Sequence, residues 1–390
     1  MKEYIDSSLG KVSAWVEGHG YRAYDPGDGQ LSWLRRLTFG QLALERALTA
    51  AVLRSPFNIR PLIGIPPHTS TKGMGYMAWG YLLRYRLSRD DRFARLAEDC
   101  LQWLISHRSP GFPDYCWGNE FTFTTRAGRL PPHSPTIVWS GLIGQAFMEG
   151  FEQLGKSQYL EVATSICEWI MKLPREETDS GTCLSYVSFM QRSIHNSNML
   201  GAALLARVGA AADRPDMVEL ARHAMHYSCA RQLPDGAWYY GEDPKYHWID
   251  NFHTGYNLDS LKRYAQYSAD SSFDAALGNG YRYFRATFFE ADGRPRYYHD
   301  RTLPIDIQCA SQAIDTLAYF CDRDGTSLEL ACRVAHWTID HMQDADGHFY
   351  YRDLGWTKVK TPMFHWGQGT MFKALANLRL RLEASAAAAA

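Results

Sequence analysis

Two interleaved series of helices, repeating at intervals of 54 to 66 residues, constrain this chain more than any other feature. From Phe93, steps of +3, +4, +7, +8 and +11 meet Leu96, Ala97, Cys100, Leu101 and Leu104. The same steps from Tyr159, Met217, Phe273 and Leu328 trace four more mostly apolar stripes, with origins 66, 58, 56 and 55 positions apart. Such a stripe is the buried face of an amphipathic helix. A second series lies between these and is apolar nearly all round. Its members begin near Gly73 (GMGYMAWGYLLRYRL), Thr136, Asn196, Thr254, Gln308 and Trp366. Their glycines and alanines allow close approach, as in helices enclosed by neighbours.

Six enclosed helices alternating with amphipathic ones, the first outer helix being expected around residues 38–53, make six helical hairpins. The economical closure is an inner ring within an outer ring. The expected fold is therefore all-α, an (α/α)6 barrel or toroid whose long rim loops carry short strands. One barrel domain is expected over residues 31–382, after an N-terminal helix and lead-in over 1–30 and before a low-complexity Ala tail over 383–390. A repetitive architecture also accommodates 390 residues, more than one compact core usually holds.

Lys and Arg number 41 against 42 Asp and Glu, a balance that gives no electrostatic footprint for nucleic acid. No apolar run approaches the roughly 20 residues of a transmembrane helix, and the start has no secretory pattern, so a cytoplasmic protein is expected. The eight cysteines are never closer than 11 positions, which excludes C-x-x-C zinc and redox patterns. Phosphate-loop, dinucleotide, nucleophile-elbow and H-E-x-x-H motifs are absent too. No metal and no cofactor is expected.

Chemistry is expected at one rim. Inner-to-outer links are short, whereas the outer-to-inner links are long and hold most of the Trp, Tyr and His. Just ahead of successive inner helices stand His68, His133, His195, His253 and His365, with Asp306 breaking the series in the fifth repeat. Trp139, Trp248, Tyr256, Tyr298 and Trp366 lie beside them. Flat rings with a polar edge suit sugar faces, and His, Asn, Asp and Arg suit their hydroxyls. The partner expected is an oligo- or polysaccharide, within a polysaccharide-assembly complex or a homo-oligomer. The pairs Tyr239-Tyr240, Tyr297-Tyr298 and Tyr350-Tyr351 also read as short strands with one ring packed on the barrel.

Carboxylates separate the reaction classes. The rim offers Asp114, Glu120, Glu242, Asp250, Asp300 and Asp306. Asp250 and Asp306 precede adjacent inner helices and form the expected acid–base pair of a glycoside hydrolase. Packed helices lie about 8–10 Å apart, so such a pair fits the roughly 6.5–9.5 Å of an inverting enzyme. His253 and Tyr298 join them as catalytic candidates. His68, Trp139, His195, Trp248, Tyr256, His365, Trp366 and Arg192 would hold substrate. The alternative is that both aspartates are N-caps. A uronate C5-epimerase or lyase would instead use Arg60, Lys72 or Arg192 to neutralise a carboxylate and His195, His253, Tyr256 or Tyr298 as base. A non-catalytic glycan-binding scaffold fits the same rim.

Three segments carry a resemblance: YRAYDPGDG (residues 21–29), SPFNIRPLIGIPPHTSTKG (55–73) and YYHDRTLPIDIQCASQAI (297–314). They resemble helical-toroid proteins of bacterial exopolysaccharide biosynthesis loci, within the six-hairpin glycosidase-like and terpenoid-cyclase-like toroid group. QLPDGAWYYG (232–241) is similar to turns of terpene cyclases, whose D-x-D-D motif is absent, and FHTGYN (252–257) to the His-Thr region of glucuronyl C5-epimerases. The resemblance implies a setting in glycan assembly more than it implies a reaction.

Overall fold

A polar residue with a short side chain stands before four of the enclosed helices and fixes where each begins. Ser70 accepts from the backbone N–H of Gly73, Thr136 from Trp139, Asp250 from His253 and Asp306 from Gln308. Each satisfies a donor that the helix itself leaves unpaired. In the computed structural model, which describes residues 1–125 and 128–389, α1 (Lys2–Gly18) and α2 (Leu42–Arg54) precede the repeats. Then come α3 (Thr71–Ser88) and α4 (Asp91–Ser106), α5 (Ile137–Leu154) and α6 (Ser157–Met171), and α7 (His195–Ala211) and α8 (Pro215–Cys229). They are followed by α9 (Asn251–Ser268) and α10 (Asp274–Thr287), α11 (Ile307–Tyr319) and α12 (Ser327–Met342), and finally α13 (Gly369–Ala389).

Helices α3, α5, α7, α9, α11 and α13 each pack on the next, and α13 returns to α3, so the inner ring closes. The even-numbered helices from α4 to α12 lie outside it. The protein is an (α/α)6 toroid. Inner helices approach closely because glycine meets a large side chain. A Cβ on Gly80 would stand 2.5 Å from Phe372, and one on Gly144 would stand 2.4 Å from Leu204.

The sixth hairpin differs from expectation. A helix does form near residues 38–53, as α2, but α13 packs against α1 instead. The reason is the stripe each helix offers. Helix α1 buries Ile5, Leu9, Val12, Trp15 and Val16, whereas α2 buries only Glu45 and Val52. Helix α2 lies instead against the 3-10 turns Asp28–Leu31 and Trp33–Thr38 and a rim strand. The alanine-rich end continues α13 as helix to Ala389.

The rim loops carry short antiparallel pairs: β1 (Phe123–Thr125) with β2 (Gly128–Leu130), and β3 (Arg175–Thr178) with β4 (Gly181–Leu184). A three-stranded ribbon of β5 (Ile305–Asp306), β6 (Arg352–Asp353) and β7 (Lys358–Val359) pairs Asp306 with Arg352. The tyrosine pairs are not these strands. Tyr298 makes single bridges to Asp250 and Arg301, and Tyr350 and Tyr351 are buried together just before β6.

Candidate active site

The N-terminal ends of the inner helices surround a cavity of about 380 Å3, a size suited to a small-molecule or sugar site. At Tyr256 the cavity meets a hydrogen-bonded cluster of inner-helix side chains. The Tyr76 and Tyr256 hydroxyls are 2.8 Å apart, and Gln308 Nε2 donates to the Tyr256 oxygen over 2.8 Å. Of the expected site residues, Trp139, Arg192, Trp248, Asp250, His253, Tyr256, Tyr298, His365 and Trp366 all line this space.

Asp250 is the one carboxylate among the described lining residues. Both its oxygens are occupied. Oδ1 caps α9 by accepting from His253 N at 3.0 Å, and Oδ2 accepts from Trp248 Nε1 at 2.9 Å and faces His253 Nδ1 at 2.6 Å. Thus the cap and the catalytic candidate are one residue. A carboxylate on Nδ1 selects the tautomer with its proton there, which leaves the Nε2 lone pair as a base. The ring is held on its other side by Tyr240, with centroids 4.5 Å apart, and Tyr240 itself stacks on Trp248.

A second histidine is held the same way from the turn Phe364–Gln368 that leads into α13. His365 Nδ1 is 2.9 Å from Asp25 Oδ1 and 3.1 Å from Ser70 Oγ. Asp25 Oδ1 also accepts the His365 backbone N–H. Burial pulls the His365 pKa below its ordinary 6.5, so the ring is neutral at neutral pH. Asp25 escaped the sequence reading as a site residue, being 340 positions from its partner. The usable signal was its place in YRAYDPGDG. That segment and SPFNIRPLIGIPPHTSTKG are locked together by the buried Asp28–Arg60 ion pair at 2.7 Å. Arg60 is thereby taken up in the wall and is not free to neutralise a substrate.

Lys72 is a third titratable group at the cavity. Its Nζ faces the rings of Trp139, Tyr76 and Tyr256 at 4.9, 5.7 and 5.9 Å, with no hydrogen-bond partner among the described residues. Burial lowers its pKa from 10.5 to about 7, opposed only by the charge of Asp25. Between those values the unfolded chain binds the proton that the folded chain lacks, so this group makes stability rise with pH, by up to about 1.4 kcal/mol per unit. Lys72→Met is therefore expected to raise the urea midpoint near pH 7 and to flatten its rise towards pH 10.5. A wild-type pH dependence unchanged by the substitution would show that Lys72 is not held in this way. Trp139 Nε1 and Asn196 Oδ1 are buried without a hydrogen-bond partner among the described residues, and both residues line the cavity.

Other expected residues fall elsewhere. Asp306 is fully buried in the wall, where Oδ1 accepts from Gln308 N and Trp366 Nε1 at 2.9 and 2.8 Å and Oδ2 pairs with Arg352. It is a cap and an ion-pair partner, so it cannot form an acid–base pair with Asp250. His195 is buried between Ser228 Oγ and Glu242 Oε1, at 3.2 and 2.8 Å, and does not line the cavity. His68 lies behind His365, its Nε2 3.9 Å from Asp25 Oδ2. His133 is exposed in a turn at φ 60°. Asp114 and Asp300 pair with Lys172 and Arg301 outside the cavity. The cysteines are packing groups: burial pushes the Cys116 thiol up to about 12.

No protein-family model matches the chain, and no curated protein matches its sequence. Solved structures do share its shape. Cellobiose 2-epimerase from Bacillus thermoamylovorans superposes with a TM-score of 0.63 at 9% identity, over 82% of this chain and 90% of that one. An α-mannanase from Bacteroides thetaiotaomicron gives 0.60 at 12% identity, over 82% and 87%. A polysaccharide lyase gives 0.59 at 10% identity, over 81% and 91%. At these identities the likeness establishes the toroid fold, and the reaction has to be argued from the cavity.

Proposed function

We propose that this protein is a carbohydrate-active enzyme that moves a proton at a sugar carbon, as an epimerase, isomerase or lyase does. The observation that carries this reading is the cavity's chemistry: among the described lining residues there is one carboxylate, which orients a histidine, beside His253, His365 and Lys72 as nitrogen bases. Glycosidic hydrolysis by an acid–base pair needs two carboxyl groups across the scissile bond. Asp306, the expected second one, is in the wall.

In this reading His253 Nε2 removes the proton from a carbon beside a carbonyl or carboxyl group, and Asp250 stabilises the imidazolium that forms. Lys72, with a pKa near 7, returns a proton or hydrogen-bonds the oxygen where charge develops. Neutral His365 hydrogen-bonds a substrate hydroxyl through Nε2. Trp139, Trp248, Trp366 and Tyr298 hold the ring faces, and Arg192, bonded to the Tyr246 hydroxyl at 2.9 Å, lies at the wall where a substrate acid group would reach. An epimerase and a polysaccharide lyase are both found on this fold, which supports the reading. The resemblance to exopolysaccharide-locus proteins supports a glycan as substrate.

The test is incubation with reducing disaccharides and uronate oligosaccharides in deuterated water, followed by proton NMR. Two outcomes are expected: deuterium at one carbon with no new reducing ends, or an unsaturated end for every new reducing end. Release of reducing ends with neither deuterium uptake nor an unsaturated product would return the protein to the hydrolases. Binding with neither change would make it a glycan-binding protein.

A further inference from the structure

The layer formed by residues 28–64 buries polar groups and exposes apolar ones. Its interior is polar: Asp28 is paired with Arg60, Gln30 Nε2 donates to Glu45 O and Thr49 Oγ1 at 2.8 and 2.7 Å, and Ser32 Oγ donates to Ile63 O at 2.9 Å. Val52, Leu48, Leu53, Ile59 and Ile63 pack on the core, but many of the layer's large apolar side chains point outward. Trp33 is 56% exposed, Leu37 61%, Phe39 81%, Phe57 77% and Leu62 80%. Seven of the twelve exposed large apolar residues described lie between residues 31 and 62. A concentration of this kind marks a surface that meets something apolar.

The charge around these side chains says what that is. The segment's only acids, Asp28 and Glu45, are both buried and paired with arginine, Asp28 with Arg60 and Glu45 with Arg129 and, at 3.7 Å, with the half-exposed Arg35, while Arg36 and Arg54 are exposed in the same segment. The near-neutral total charge of the chain conceals this local excess. Two copies docked through this face would bring like charges together. A bilayer with anionic headgroups supplies both the apolar depth and the counter-charge, and aromatic residues with arginines suit its interface. Among the described residues no helix is long and apolar enough to cross a membrane, so contact would be with one face of the bilayer.

We infer that the layer 28–64 docks on an anionic lipid surface, with Trp33, Phe39, Phe57 and Leu62 entering the interface and Arg35, Arg36 and Arg54 meeting headgroups. The layer adjoins the cavity mouth, because α2 packs on β1, and Arg129 of β2, which lines the cavity, donates to Glu45 Oε2 at 2.9 Å. Docking would therefore present the cavity to glycans held at the surface.

The experiment is co-sedimentation of the full chain with phosphatidylcholine vesicles, with and without about one third phosphatidylglycerol. Partitioning is expected to be at least about tenfold stronger on the anionic vesicles and to fall with added salt. The variant Trp33→Ser/Phe39→Ser/Leu62→Ser should lose binding to both kinds, and Arg35→Glu/Arg36→Glu should lose the preference for anionic lipid. Circular dichroism melting of each variant, together with the deuterium-exchange assay, checks that the fold and the cavity are intact. Absence of vesicle binding by the wild type overturns the inference. So does concentration-dependent dimerisation in sedimentation velocity that the apolar triple variant abolishes, since the face would then be a contact between copies.

Discussion

Asp306→Ala is expected to lower the free energy of unfolding by about 3–5 kcal/mol, the range for stripping one partner from a buried ion pair. The substitution removes the N-cap of α11, strands the Arg352 guanidinium and leaves Trp366 Nε1 without its acceptor. It also unpins β5 from β6, whose register places Asp306 opposite Arg352. Urea denaturation followed by circular dichroism measures the loss. Asp306→Asn should cost less, because asparagine caps nearly as well and still accepts from Trp366. If Asp306→Asn instead kept wild-type stability and abolished turnover, the residue would have to be restored to the catalytic list.

His253→Gln is expected to show the opposite pattern, with deuterium exchange slowed by about 10²–10⁴-fold and the urea midpoint hardly moved. The ring is partly open to the cavity and its backbone N–H, not its side chain, completes the cap of α9. Asp250→Asn should fall in the same direction while α9 remains capped, because an amide can cap the helix but does not stabilise the imidazolium or select the same tautomer. Comparable sugar binding by all three proteins, measured by titration calorimetry, would place the loss in the proton-transfer step. A His253→Gln protein with wild-type exchange would transfer the base role to Lys72 or His365.

Much of this architecture is legible in the sequence because it depends on local periodicity. The stripes from Phe93 to Leu328 lie on α4, α6, α8, α10 and α12, and the glycine- and alanine-rich series became the inner ring. Asp250 and Asp306 were legible as possible caps, as were the histidines ahead of the inner helices, whereas the caps Ser70 and Thr136 came from the structure. The identity of the sixth outer helix was less visible, since α1 and α2 lie in the same stretch and only packing against α13 separates them.

The histidine series shows most clearly where local reading stops. His253 and His365 both stand at inner-helix starts with Nδ1 on a carboxylate and their rings at the cavity. His195 stands at an equivalent position, yet Ser228 and Glu242 hold it inside the wall, and His133 is turned out to solvent. Asp250 and Asp306 also look alike in sequence, each a cap before an inner helix. The sequence by itself determined the helices, their order around the ring and the rim that bears polar residues, because those follow from spacing along the chain. Only the tertiary structure decided that Arg352 draws Asp306 into the wall, that Asp25 reaches His365, and that Lys72 is buried among aromatic rings with its pKa near 7. Those outcomes depend on which side chains meet across tens to hundreds of residues and on how much water they lose, and neither quantity is written in local sequence.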